Sequence, residues 1–256
     1  MPPDLTAWLV AHAGVSALAF ARASGLAWTA PGLATPGLGG RFRLLLGGLL
    51  GMTLVPALQQ QGVLAAPAGW PALGTACLGE VLVGAALGWS AALVVAGARQ
   101  AGELVGAQAG LAPAALFDPE AGDEMTATGH LYGLVALGVF LALDGPLALV
   151  RALVESYRVL PPGGGGLTEG TAALAFGRVG QALALALRAA APAALALALA
   201  GLALGLLGRA APSLQLLALA MPVRAALGLL LVLLGLATLA ATFADAWGVW
   251  PGVLRY

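Results

Sequence analysis

The chain has 256 residues, of which 61% are hydrophobic and only 9% charged, with eleven basic and eleven acidic side chains and no net charge. A soluble domain carries roughly 25% charged residues, so this complement cannot cover a 25.1 kDa globule, and both a water-soluble monomer and a disordered chain are excluded. Ile, Lys and Asn are absent, which points to a GC-rich genome that inflates Ala, Gly and Leu; charge depletion survives that discount, because such a genome supplies Arg freely.

Charge-free runs cover residues 5–21, 44–79, 81–98, 125–143, 189–208 and 225–244. A bilayer-crossing helix needs about 20 apolar residues; the last two runs meet that length and the others approach it or contain breaks. No basic residue precedes the first run, so it is expected to stay as a helix and not to be a cleaved signal. Residues 35–40 read as a flexible turn closed by Arg41 and Arg43. Pro56, Gln59, Gln60 and Gln61, followed by Pro67 and Pro71, predict that a second helix stops at Pro56 and a polar turn follows. The lone Cys77 lies in an apolar run and reads as small core filler. An apolar loop is expected at 104–124. Pro161 and Pro162 followed by Gly163 to Gly166 form the strongest linker signal, so a linker at 163–170 is expected between N-terminal helical hairpins at 1–162 and a C-terminal hairpin at 171–256. The fold class is all-α, with about six long apolar helices in a membrane or membrane assembly.

Small residues recur four apart at Gly84 and Gly88, at Gly201 and Gly205, and at Gly102, Gly106 and Gly110. That spacing lets helix backbones approach closely. Arg22, Glu80, Asp144, Arg178, Arg188, Arg209 and Arg224 interrupt or border apolar runs, and each costs ~2.5–3.5 kcal/mol at a lipid-facing helix centre. They are expected to face protein or water. Glu80 and Asp144 have two readings: a relay in a proton-coupled multi-pass transporter, or structural pairs with arginines. Arg41 with Arg43, Arg99, and Arg151 with Arg158 are expected in three different loops and do not segregate to alternate ones, a hint that some apolar segments are buried in a protein assembly.

Asp118, Glu120, Asp123 and Glu124 crowd one segment but lack the spacing of a calcium loop, so a solvated turn is expected and no metal. No catalytic constellation is recognisable: the two histidines, His12 and His130, are far apart in sequence and form no motif with an acid, and the lack of Lys removes Schiff-base and P-loop chemistry. Neither an enzyme nor a cofactor is expected. Zero net charge makes nucleic acid an unexpected partner.

Four groups of residues, in order, resemble one family. The first is Arg22-Ala23-Ser24-Gly25 with Ala30-Pro31, then Arg41 and Arg43 entering a Gly-rich helix. Next come Glu80-Val81-Leu82-Val83-Gly84 with Gly88, Gly102-Glu103 and Gln108-Ala109-Gly110-Leu111. Third are Phe117-Asp118-Pro119, Leu143-Asp144-Gly145 and Glu155-Ser156-Tyr157-Arg158-Val159-Leu160-Pro161. Last are Gly208-Arg209 with Pro212-Ser213-Leu214-Gln215, and Met221-Pro222-Val223-Arg224. Their order and spacing resemble the FliR/SctT family of type III secretion export-gate membrane proteins, the flagellar branch most closely. Departures are Pro146 where the family usually has His, Ser213-Leu214-Gln215 where it has Gln-Leu-Asn, Ala220 for Gly and Arg224 for Lys.

The resemblance implies a subunit of the conduit for unfolded protein substrates in the bacterial inner membrane, at the flagellar basal body or injectisome base. It implies tilted helical hairpins packed with FliP/SctR-like and FliQ/SctS-like membrane proteins, a FlhB/SctU-like switch protein as a further partner, and contact with membrane lipid. It also suggests that the loop through Phe117-Asp118-Pro119 lies near the closed pore, with Gly106, Gly110, Phe117, Asp118 and Pro119 as pore or plug candidates; a packed interhelical loop is the alternative. Glu80, Asp144, Arg209 and Pro212 are the structural or gating candidates, the last two at a contact between the final helices.

Overall fold

In the computed structural model the described residues are 13–33, 39–60, 69–111, 125–161, 169–210 and 216–249. They form seven helices and no strand: α1 Ala13–Thr29, α2 Gly40–Gln60, α3 Trp70–Ala109, α4 Ala127–Ala142, α5 Gly145–Val159, α6 Glu169–Ala210 and α7 Leu216–Val249. An all-α fold is what a chain of charge-free apolar runs must adopt, since a helix satisfies its own backbone groups where water is absent. Three stretches are long and apolar enough to cross a membrane, Trp70–Ala109, Val179–Ala210 and Ala220–Gly248; α4 and α5 pass the same test as a pair bent by 67°. Counted with that pair as one, the helices among the described residues number six, against about six expected from the charge-free runs.

Several boundaries differ from expectation. Pro56 does not end α2, which continues to Gln60, and Pro192 and Pro222 likewise lie inside α6 and α7. A proline removes a single i→i−4 bond, and in apolar surroundings the remaining backbone groups have no alternative to the helix. Glu80, which separates two charge-free runs, lies inside the single helix α3. Arg99, Arg151 and Arg158 sit within α3 and α5, and Arg41 and Arg43 within the first turn of α2, so none is in a loop. α6 begins at Glu169, in the last residues of the expected linker.

The α4–α5 bend has a local cause. Asp144 stands between the two helices in the left-handed region, φ 53°, and is the only described non-glycine residue there. Pro146 follows in the first turn of α5, where its missing N–H costs nothing and its fixed φ favours the start of a helix. Pro146 thus fits the bend.

The described chain divides into two compact units, one of Met1–Leu93, Asp144–Arg178 and Val249–Tyr256, the other of Val94–Leu143 and Val179–Gly248. In the first, α1 is held between α2 and the start of α3 through glycines. Gly47 and Gly51 of α2 back directly onto the α1 main chain at Ser24 and Phe20, and Gly84 and Gly88 of α3 onto the Arg22 carbonyl and Thr29. Thr29 Oγ1 donates to the Ala85 carbonyl at 2.9 Å. Leu18, Ala19, Ala23 and Ala27 are fully buried in this sandwich. In the second unit Gly102 and Gly106 of α3 face α4, Gly97 faces Ala182 of α6, Gly228 of α7 faces Ala109, and Phe140 meets Trp247 with ring centroids 4.6 Å apart.

Candidate functional site

The first unit contains a buried arginine with every arm engaged. Arg22 and Glu80 are each 1% exposed. Arg22 Nε donates to Glu80 Oε2 at 2.5 Å, Nη1 to Ser156 Oγ at 3.1 Å and Nη2 to the Leu160 carbonyl at 2.9 Å. Its Cζ lies 4.1 Å from the centroid of the Tyr157 ring, and Tyr157 itself donates to the Ala19 carbonyl at 3.2 Å. The guanidinium fork thus joins α1, α3 and the end of α5. A charge pair in apolar surroundings holds only when its remaining donors are satisfied, and here hydroxyl, carbonyl and aromatic face supply that.

Local sequence explains the convergence. Gly84, one turn beyond Glu80, leaves no Cβ between α3 and the Arg22 carbonyl, so the two helices approach closely enough for the side chains to meet. On α5 one face is buried, with Leu149, Ala152, Leu153, Ser156 and Tyr157, while Arg151 and Arg158 are exposed and Glu155 is half-buried. The exposed Arg158–Glu155 contact at 3.2 Å is of the kind that adds little stability.

The second unit carries a different polar cluster at the end of α3. Glu103 Oε1 accepts from the Thr126 main-chain N–H at 2.8 Å and from Thr126 Oγ1 at 3.1 Å. Thr126 in turn caps α4 by accepting from the Gly129 N–H at 3.1 Å, and Thr128 Oγ1 donates to the Gly102 carbonyl at 2.9 Å. Gly106 lies against the hydroxyls of Thr126 and Thr128. α3 then ends in a left-handed glycine: Gly110 has φ 78°, its N–H donates to the Ala107 carbonyl, and the Leu111 N–H donates to the Gly106 carbonyl at 2.9 Å. This 6→1 and 5→2 pairing is the cap glycine makes without steric cost. The triple Gly102, Gly106 and Gly110 therefore serves two contacts and a cap.

Of the predicted site residues, Glu80 has the structural pairing, with Arg22 as partner. Asp144 is exposed at the bend and Arg209 exposed near the end of α6, and neither shares the Arg22 cluster. Phe117, Asp118, Pro119 and Pro212 lie outside the described residues, as do Glu120, Asp123 and Glu124. Among the described residues no group of His, Cys, Asp and Glu is placed to hold a metal ion. Sequence reasoning missed Ser156 and Tyr157 as partners of Arg22, and Glu103 as the partner of Thr126; the resemblance motifs contained all but Thr126 without saying that they meet.

Buried charges that bind the chain's own helices, glycine-mediated contacts and spans of bilayer length define a helical membrane protein. The family described as "Bacterial export proteins, family 1" matches residues 14–249. The chain is 31% identical to the flagellar biosynthetic protein FliR of Caulobacter vibrioides over 91% of its own length and 92% of that protein. It is 31% identical to the FliR of Pectobacterium carotovorum over 82% and 80%, and 31% identical to the Yop proteins translocation protein T of Yersinia pestis over 60% of each. The chain belongs to the bacterial export proteins, family 1. It is an inner-membrane component of the type III protein export apparatus, at the base of the basal body.

Proposed function

We propose that the chain is a non-catalytic stave of the export conduit, packed against FliP/SctR-like and FliQ/SctS-like membrane proteins and next to a FlhB/SctU-like switch protein. One observation carries the reading beyond family membership. α3 and α6 have 40 and 42 residues, so at 1.5 Å per residue each is about 60 Å long, roughly twice the hydrocarbon core of a bilayer. Charges are sparse along that length, Glu80, Arg99 and Glu103 in α3 and Glu169, Arg178, Arg188 and Arg209 in α6, and Leu183, Leu187, Leu195, Leu199, Leu202 and Leu206 of α6 are more than half exposed. Apolar surface that outruns the lipid is covered by neighbouring subunits. The flagellar system is favoured over the injectisome because two flagellar relatives are matched over 80% or more of their length, against 60% for the Yop relative.

Within that conduit the segment after α3 is the plug. A closed gate passes a chain yet excludes ions, which small and apolar groups at a constriction achieve. Gly106 and Gly110 end α3 in a tight cap, and the chain continues through an apolar stretch to Phe117-Asp118-Pro119. A Phe117→Ala change or deletion of residues 111–116 is expected to raise ion leakage with the export channel assembled; unchanged leakage and export would remove the assignment. The gate reading as a whole is tested by deletion of the gene, which is expected to abolish type III export, and by a tag on this chain, which is expected to bring down two smaller helical membrane proteins. The transporter reading is not favoured, since Glu80 is committed to Arg22 and Asp144 is exposed at a bend.

A further inference from the structure

A second arginine in the apolar helices is treated very differently from Arg22. Arg224 on α7 packs against Gly201 of α6: a Cβ built at Gly201 would come within 2.7 Å of Arg224 Nη2. Gly201 stands thirteen residues after Arg188 and eight before Arg209. At 1.5 Å per residue that is about 20 Å and about 12 Å from the two ends of the charge-free run 189–208. The register of the α6–α7 pair therefore sets Arg224 inside the bilayer-length stretch of α6 and away from its edges. That register is secured elsewhere, because Gly228 of α7 seats against Ala109 and Gly110 faces the Met221 sulfur.

Arg224 is half-buried, and its Nε is buried with no hydrogen-bond partner. No ion pair involves it among the described residues. A guanidinium keeps its proton in proteins, so it cannot escape the site by neutralisation as a buried lysine would. Around it Leu202, Leu206, Met221 and Val223 are exposed, so the surface that surrounds the charge is apolar.

We propose that Arg224 is the receptor for a carboxylate of another membrane subunit: an apolar helix bearing Asp or Glu at the level of Gly201 docks on the α6–α7 face and completes the ion pair there. Charge complementarity selects an acid, and the exposed apolar side chains Leu202, Leu206, Met221 and Val223 around the guanidinium select one carried by an apolar helix. Gly201 is the notch through which the guanidinium reaches that partner. The proposal rests on the reading of the chain as one subunit of a multi-protein gate.

The test uses full-length chains in the native host, with the gate complex recovered through a tag on this subunit and export measured in parallel. Arg224→Met keeps length and loses the charge; it is expected to lower the yield of co-purified membrane subunits at least about tenfold, as expected for a stranded intramembrane carboxylate. Arg224→Lys should retain most of the yield, and Gly201→Leu should behave like Arg224→Met. Arg224→Glu should abolish assembly, and suppressors should map to an Asp or Glu of a partner helix changed to Arg or Lys. Should Arg224→Met fail to accumulate, that suppressor selection decides, and suppressors confined to this chain overturn the proposal. Wild-type yield for Arg224→Met overturns it too. So does ready labelling of Arg224→Cys, in a Cys77→Ala background, by a membrane-impermeant thiol reagent in the assembled complex, which would mean that water covers the charge. None of these results touches the gate reading, which fails only if deletion of the whole chain leaves export intact.

Discussion

Arg22 and Arg224 are the same side chain in the same kind of apolar helix, yet one is surrounded by its own chain and the other is not. Arg22 spends its donors on Glu80, Ser156 and Leu160 and lies over Tyr157; Arg224 keeps a buried Nε without an acceptor. The difference separates two uses of charge in a membrane subunit. A fully answered charge fixes how the subunit's own helices meet, whereas an unanswered one is directed to whatever subunit lies alongside.

The comparison is broken most sharply by removing one half of the Arg22 pair. Glu80→Ala leaves a buried guanidinium without its counter-charge, and a loss of about 3–5 kcal/mol is expected, read as a collapse in steady-state level and rapid proteolysis in detergent. The double change Arg22→Met with Glu80→Leu should recover much of that loss, because two apolar side chains can replace a buried ion pair. If the double variant is no better than Glu80→Ala, the pair does more than hold helices together. Next in size, Gly84→Leu drives a side chain into the Arg22 carbonyl; a cost of about 1–3 kcal/mol is expected from overpacking alone, while Gly205→Leu, with open space around it, should be close to neutral in the isolated chain.

Glu103→Ala sharpens the contrast with the second unit. It removes the acceptor of the Thr126 N–H and hydroxyl, for an expected cost of about 1–2 kcal/mol, and hydrogen exchange at the start of α4 should speed up more than exchange in α1. The smallest effect is expected at the bend. Asp144→Gly relieves a left-handed backbone and should stabilise by up to about 1 kcal/mol; normal export by this variant would show that geometry matters there and the carboxylate does not.

The helical class is legible in the sequence because charge depletion and charge-free runs report directly on the solvent around a segment. So is the need for Glu80 to find an arginine, since an unpaired acid in an apolar run is untenable. Which arginine it finds is not legible: Arg22 lies 58 positions away, and only the close approach permitted by Gly25 and Gly84 selects it. Helix ends are misread at Pro56 for a physical reason. Proline stops helices where water can take over the freed carbonyl, and that inference fails in an apolar environment. The Gly102–Gly106–Gly110 pattern is visible in sequence, but its division into close contacts and a terminal cap depends on Thr126, Thr128 and a positive φ that spacing does not reveal.

The Arg22 cluster also constrains how the polypeptide is made. Its members are supplied in sequence from residue 22, then 80, then 156 to 160, so during synthesis the first helix carries a naked cation until Glu80 is made and an incompletely satisfied one until well over half of the chain has left the ribosome. Helix α1 is therefore a poor membrane segment by itself, and it is expected to linger at the insertion machinery, released into lipid only after its anion and hydroxyl arrive.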